Sequence, residues 1–251
     1  MPYPVASRTA ALALALCLLS GAAIGQSAPS AGGAAATAAN ANLHRATPEN
    51  AVLVYVDFNT GLDNMLTTIP GPQFRNNVTA FAKLNPVFRM PTAVLGEEND
   101  FYGPFFPEIK EHVTHDATRF LRTTMSGYTP EFAAWLAKTG RRTVIIGGIS
   151  IDNCTLHTAL DLLRDGYTVF VVADVSSTNN KLAEDAAMMR LSRAGAVITT
   201  WLSISTELMR DWSLPQAKQL QAVVFEHLPA STIGTVNDTT PDGLGMRAPN
   251  M

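Results

Sequence analysis

Short apolar runs alternate with amphipathic stretches through the middle of this chain. Ala51–Asp57 (AVLVYVD) is apolar, β-branched and short, which predicts a buried strand. Phe74, Val78, Phe81, Ala82 and Leu84 recur at helical spacing and predict an amphipathic helix. Thr92–Leu95, after Pro91, predicts a second strand, and Arg119–Arg122 a brief third. Between them Phe101–Pro107 is aromatic and proline-rich and reads as a loop, while Ile109–Val113 is too short to assign by pattern. Phe132, Trp135 and Leu136 predict a helix that opens at Thr129-Pro130 and stops at Gly140. Thr143–Ile146 is the next strand, and Leu156, Ala159, Leu160 and Leu163 mark the helix after it. Strand Thr168–Ala173, helix Lys181–Arg193, strand Ala196–Thr200 and helices Ser203–Trp212 and Pro215–His227 complete the series.

Strands that are continuous apolar runs, alternating with helices, belong to parallel sheets buried on both faces. The expected fold is α/β: a doubly wound, six-stranded, mainly parallel sheet with helices on both faces. Ligands bind such sheets beyond the carboxyl ends of the strands. Three reactive side chains fall at that edge: Asp57 ends the first strand, Arg122 the third, and Cys154 follows the fourth.

The chain ends lack this pattern. Arg8 precedes an apolar stretch from Ala10 to Leu19, followed by small residues to Gly25. That is the form of a secretory signal peptide, residues 1–25, with Ala23-Ile24-Gly25 as cleavage site. The apolar run is short for a membrane span. Residues 26–47 are Ala, Ser, Gly, Thr and Asn with little else and read as a flexible linker; 230–251 read as an extended tail. One domain, 48–229, remains. An exported location is expected, with no membrane attachment of the mature form. Cleavage removes Cys17 and leaves Cys154 as the one thiol, unpaired in an exported protein. The full chain has 18 basic and 21 acidic residues; loss of Arg8 leaves 17 against 21, or −4. No basic stripe appears, so nucleic acid is not an expected partner.

Cys154 lies near the first turn of a helix, where free N–H groups and the helix dipole favour a thiolate. The competing reading is a small buried hydrophobe. The backbone N–H groups of Ser150 and Cys154 could each donate to an oxyanion, and Gly147 and Gly148 permit close backbone approach. Asp57 reads as a general base for the thiol, or else as a turn cap. Arg122 would stay charged, lower the thiol pKa and hold Asp57 ionised, or else form a structural ion pair. Asp174 reads as a cap. Phe101, Phe105 and Tyr128 are candidates for a small apolar substrate pocket. The histidines show no metal-ligand spacing and no phosphate loop follows the first strand, so neither metal nor cofactor is expected.

The landmarks LVYVDFNTGL, QFRNNVTAFAKL, MPTAVL, GPFFPEI, Arg122 ahead of a helix, IIGGISIDNCTLHTAL, GYTVFVVADVSS, Met188–Gly195 and WLSISTELMRDW together resemble the isochorismatase-like cysteine hydrolases, most closely the YcaC-like subgroup. The resemblance spans about Val52 to Trp212. It implies a six-stranded α/β fold and an Asp–basic–Cys triad carried by Asp57, Arg122 and Cys154. It also implies a cis peptide between Ile149 and Ser150 that aims the Ser150 N–H into the oxyanion hole, and oligomers, octamers in the YcaC-like subgroup. Three departures stand out. Arg122 replaces the lysine of many family amidases, Ile151 replaces a frequent Thr, and the zinc histidines of nicotinamidases have no counterpart. The expected activity is hydrolysis of a small amide or ester through a thioester. The alternative is a non-catalytic, oligomeric ligand-binding protein on the same fold. A redox thiol would need a resolving cysteine that the mature chain lacks.

Overall fold

The computed structural model describes residues 43–228. Strands β1 (Ala51–Val56), β2 (Thr92–Leu95), β3 (Thr118–Phe120), β4 (Thr143–Gly148), β5 (Thr168–Val172) and β6 (Val197–Thr199) form one six-stranded sheet in the order β3-β2-β1-β4-β5-β6. Every neighbouring pair is parallel. The helices are α1 (Gly71–Phe88), α2 (Pro107–His112), α3 (Pro130–Thr139), α4 (Cys154–Arg164), α5 (Lys181–Arg193), α6 (Trp201–Met209) and α7 (Ala217–His227). Among the described residues no helix is long and apolar enough to cross a membrane.

The alternation of side chains along β1 divides the core in two. Leu53 and Tyr55 join Phe74, Val78 and Phe81 of α1, Ile204 of α6 and Leu220 of α7 on one face. Val52, Val54 and Val56 join Phe132 and Leu136 of α3 and Ala159 and Leu162 of α4 on the other. All six β1 residues are buried, which is why the strand reads as an unbroken apolar run. Each buried valine or leucine side chain of the strand contributes about 1.5–3 kcal/mol of burial free energy.

Several element ends differ from the pattern-based expectation. α1 runs on through Pro86 to Phe88 before Arg89 closes it at φ 49°. The proline sits in the last turn, where its missing N–H removes one hydrogen bond rather than breaking the helix. The aromatic loop ends at Pro107, which takes the first position of α2. Thr60–Met65 forms a 3₁₀ turn whose residues carry no periodic apolar signal. β3 stops at Phe120, so Arg122 stands in the following loop. β4 extends through Gly147 and Gly148, which pair with Tyr55 and Val56. A Cβ on Gly148 would lie 2.5 Å from that of Val56, so glycine lets β1 and β4 close together at this end. α6 starts at Trp201 because Thr200 and Asp174 cap it, accepting the N–H groups of Ser203 (3.2 Å) and Trp201 (2.8 Å).

The segments read as a signal peptide (1–25) and a tail (230–251) lie outside the described residues, as does most of the stretch read as a linker. The end of that stretch belongs to the fold. Ala46 is fully buried, its N–H donates to Glu207 Oε1 at 2.8 Å, and His44 Nε2 lies 2.9 Å from Thr143 Oγ1. Its small polar and alanine residues hid this docking, because it depends on single contacts rather than an apolar run.

The strand order reverses direction between β1 and β4. Beyond the carboxyl ends of those two strands lies the crevice where doubly wound sheets hold ligands.

Candidate active site

Asp57 is the first residue past β1. Its N–H still donates to Leu95 O at 2.9 Å, but its backbone turns into the left-handed region at φ 47°. That conformation costs a non-glycine residue on the order of 1–2 kcal/mol. The turn brings its carboxylate over Gly96, where a Cβ would lie 2.5 Å from Asp57 Oδ1. Arg122 reaches in from the loop after β3. Its Nη2 donates to Asp57 Oδ2 and its Nη1 to Thr124 O. The Arg122 and Asp57 side chains are 8% and 6% exposed, so the pair is shielded from water. Cys154 opens α4 with a free, part-buried thiol.

The charges act on one another. Burial pushes the Cys154 thiol up to about 11; the Asp57 carboxylate beside it pushes the same way and Arg122 pulls back. Burial also raises Asp57, against the opposing pull of Arg122 and the thiol. Burial works against the charge of Arg122, yet Asp57 and Cys154 together hold its guanidinium above its ordinary value. The resting thiol is therefore protonated at neutral pH. This corrects the expectation of a favoured thiolate: burial, joined by the Asp57 carboxylate, outweighs the pull of the Arg122 guanidinium. Any attack by this sulfur has to be coupled to proton transfer, and Asp57 is the adjacent acceptor.

The turn between β4 and α4 is held by short side chains. Thr155 Oγ1 donates to Gly148 O at 2.9 Å, Gly148 N–H donates to Ser176 Oγ at 3.1 Å, and Ile149 N–H donates to Val56 O at 2.9 Å. The Ile149–Ser150 peptide bond is cis. Ser150 O accepts the N–H groups of Asn153 and Thr155, both at 3.2 Å. The N–H groups of Ser150 and Cys154 have no acceptor among the described residues.

The three aromatic residues expected to line a pocket do not meet. Phe101 is 76% exposed and packs edge-on against Tyr102. Phe105 is buried in the core on the α1 face. Tyr128 lies on the opposite face against Phe132 and Tyr167. Residues close in sequence to the edge loops were drawn to opposite sides of the sheet by the two cores. Asp174 serves as the α6 cap, as expected. Glu98, in the loop after β2, is structural too: it accepts the Phe105 N–H at 2.9 Å and pairs with Lys110 at 2.6 Å. Among the described residues no group of three or more His, Cys, Asp or Glu could hold a metal ion. Gly96 and Asp152 escaped the sequence reading. Gly96 directly follows a strand end, a place where a glycine often marks close backbone approach. Asp152 gave no signal of its own, since polar residues are ordinary in turns.

Comparison with known proteins bears on this arrangement. The Isochorismatase domain family model matches residues 30–203. The "Probable hydrolase YcaC" of Escherichia coli is 31% identical over 187 residues, covering 74% of this chain and 89% of the relative. Its crystal structure, described as an octameric hydrolase of unknown specificity, superposes with a TM-score of 0.72 at 32% identity over 78% of this chain and 97% of that one. YcaC from Pseudomonas aeruginosa, solved with hexane-2,5-diol and covalent acrylamide, gives a TM-score of 0.71 at 32% identity over 76% and 96%.

Proposed function

The chain belongs to the isochorismatase family and is a hydrolase of the YcaC-like kind, and we propose that it works as a cysteine hydrolase of a small amide or ester. The observation that carries this reading is the convergence of Asp57, Arg122 and Cys154, from three separate segments, at the β1/β4 crevice.

In the proposed cycle the Cys154 sulfur attacks the substrate carbonyl while its proton passes to Asp57. The raised carboxyl is suited to take that proton and return it. The tetrahedral oxyanion is met by the N–H groups of Ser150 and Cys154. Collapse breaks the carbonyl–nitrogen or carbonyl–oxygen bond, and Asp57 hands its proton to the departing amine or alcohol. A water then gives its proton to Asp57 and attacks the thioester. The acid leaves and the thiol is restored. Arg122 balances the charge on Asp57 whenever the carboxylate is ionised, and its second donor to Thr124 O fixes the guanidinium plane. The relative from Pseudomonas aeruginosa carries covalent acrylamide, and reaction with a small amide-bearing electrophile is what this reading expects here.

Self-association is part of the reading, supported by the relative described as octameric. So is export, supported by the pattern of residues 1–25. The test of the function is a screen of small amides and esters with wild type and Cys154→Ala. Turnover that needs the thiol supports it; equal turnover by both proteins overturns it.

A further inference from the structure

Asp152 lies two residues before the thiol, in the turn that joins β4 to α4, and takes no part in the triad. Ser150 Oγ and Thr178 Oγ1 both donate to its Oδ1, each at 2.6 Å. These are the short distances of charge-assisted hydrogen bonds. Burial opposes the charge on Asp152, but the bonds from Ser150, Thr178 and its own backbone hold its carboxyl below the ordinary range. Thr178 is itself anchored. Its N–H donates to Thr68 Oγ1 at 3.2 Å, and its carbonyl accepts the N–H groups of Thr67 and Thr68 at 2.8 and 3.1 Å. Ser150, 5% exposed, is thereby tied through one carboxylate to the segment after β5 and to the chain that leaves the Asp57 turn.

We propose that Asp152 is a positioning residue for the oxyanion-binding turn. By gripping Ser150 Oγ it fixes the residue whose N–H faces the reacting carbonyl, and Thr178 fixes Asp152 in turn. The proposal rests on the reading of Ser150 and Cys154 as oxyanion donors. It has a chemical consequence that separates it from a general structural role. Acylation of Cys154 by an ester passes through a tetrahedral oxyanion. Alkylation by iodoacetamide does not: sulfur displaces iodide directly at carbon, losing its proton, and no oxyanion forms. Loss of Asp152 should slow the first reaction and spare the second.

The experiment uses the full chain. The acylation rate is read from the p-nitrophenol burst with p-nitrophenyl acetate, and the alkylation rate from intact mass with iodoacetamide. Asp152→Ala is expected to lower acylation at least about tenfold, against the ~10²–10³-fold that loss of a whole oxyanion donor costs, with alkylation unchanged. Asp152→Asn keeps an acceptor oxygen and should recover most of the loss. Ser150→Ala should resemble Asp152→Ala, and the double variant should cost little more than either. A Cys154-dependent burst in wild type with an equal burst in Asp152→Ala overturns this proposal alone. Acylation and alkylation that fall in step overturn it as well, and Asp152→Asn and Ser150→Ala provide the same comparison if Asp152→Ala does not fold. A wild-type burst that survives Cys154→Ala removes the parent reading and this one with it.

Discussion

Gly96→Ala tests whether the Asp57 carboxylate must stand where it does. Gly96 follows β2 at φ 125°, and an added Cβ would lie 2.5 Å from Asp57 Oδ1. Real Cβ contacts stay above 3.0 Å, so the two must part by at least 0.5 Å (3.0 − 2.5). The Gly96 backbone is pinned by its N–H donation to Phe120 O at 3.1 Å, and the Asp57 backbone by its bond to Leu95 O at 2.9 Å. The side chain therefore yields, and the carboxylate leaves both Arg122 and the thiol. A misplacement of about 1 Å in a catalytic group costs roughly 10²-fold, and a loss approaching that size is expected in the rate of Cys154 acylation. The alanine also carries about 1–3 kcal/mol of backbone strain. Gly140→Ala separates the two effects. Gly140 closes α3 at φ 70° with nothing within 4 Å of its added Cβ. That variant should lose stability on the order of 1 kcal/mol and keep full activity. The assay is the p-nitrophenyl acetate burst beside urea denaturation of each protein. A folded Gly96→Ala that acylates at the wild-type rate would refute the reasoning, as would an equal loss in Gly140→Ala.

Asp57→Asn should cost about 10²–10⁴-fold in kcat/KM, the usual contribution of a general base, and a wild-type rate on a confirmed substrate would sink the triad. Arg122→Lys should lose most turnover although the charge is kept, because one ammonium on a flexible stem cannot reproduce the fork that serves Asp57 and Thr124 O; substantial activity would show that charge alone suffices. Asp174 tests the electrostatics of the fold. Burial raises its carboxyl from 3.8 to about 6. A folded value above the unfolded one favours the protonated form in the native state, so this stabilisation is full below pH 3.8 and fades as pH rises to about 6. Asp174→Asn should abolish that fall, an effect of up to about 3 kcal/mol, read from urea curves at acidic and neutral pH; identical pH slopes in both proteins would contradict it. Light scattering on the full chain should give a mass that is a multiple of the protomer, and a monomer at micromolar concentration would remove self-association from the account.

The centre of the sheet was legible because β1, β2, β4 and most of β5 are buried and so spell themselves as unbroken apolar runs; the edge strands β3 and β6 are more exposed and leave a weaker trace. Of the three residues proposed for the site, Asp57 stands out as the polar group where the β1 run stops, whereas Arg122 follows the short, exposed β3 and Cys154 opens a helix beyond the β4 turn. What escaped depends on three-dimensional contact. Whether Phe105 and Tyr128 share a pocket is decided by which face of the sheet each loop folds onto, and they fold onto opposite ones. That Gly96 backs a carboxylate, or that Asp152 gathers one hydroxyl from two residues before it and another from 26 residues after it, has no periodic trace in the chain. The thiol was misjudged because a helix terminus is visible in a sequence and desolvation is not.

The most direct measurement is the mass of the enzyme caught in mid-reaction. Full-length protein mixed rapidly with p-nitrophenyl acetate, quenched in acid and weighed intact, should carry one acetyl group that peptide mapping places on Cys154. The adduct should be absent from Cys154→Ala and should accumulate far more slowly in Asp57→Asn. Ester turnover with no adduct on Cys154, or an undiminished rate in Cys154→Ala, would contradict the account.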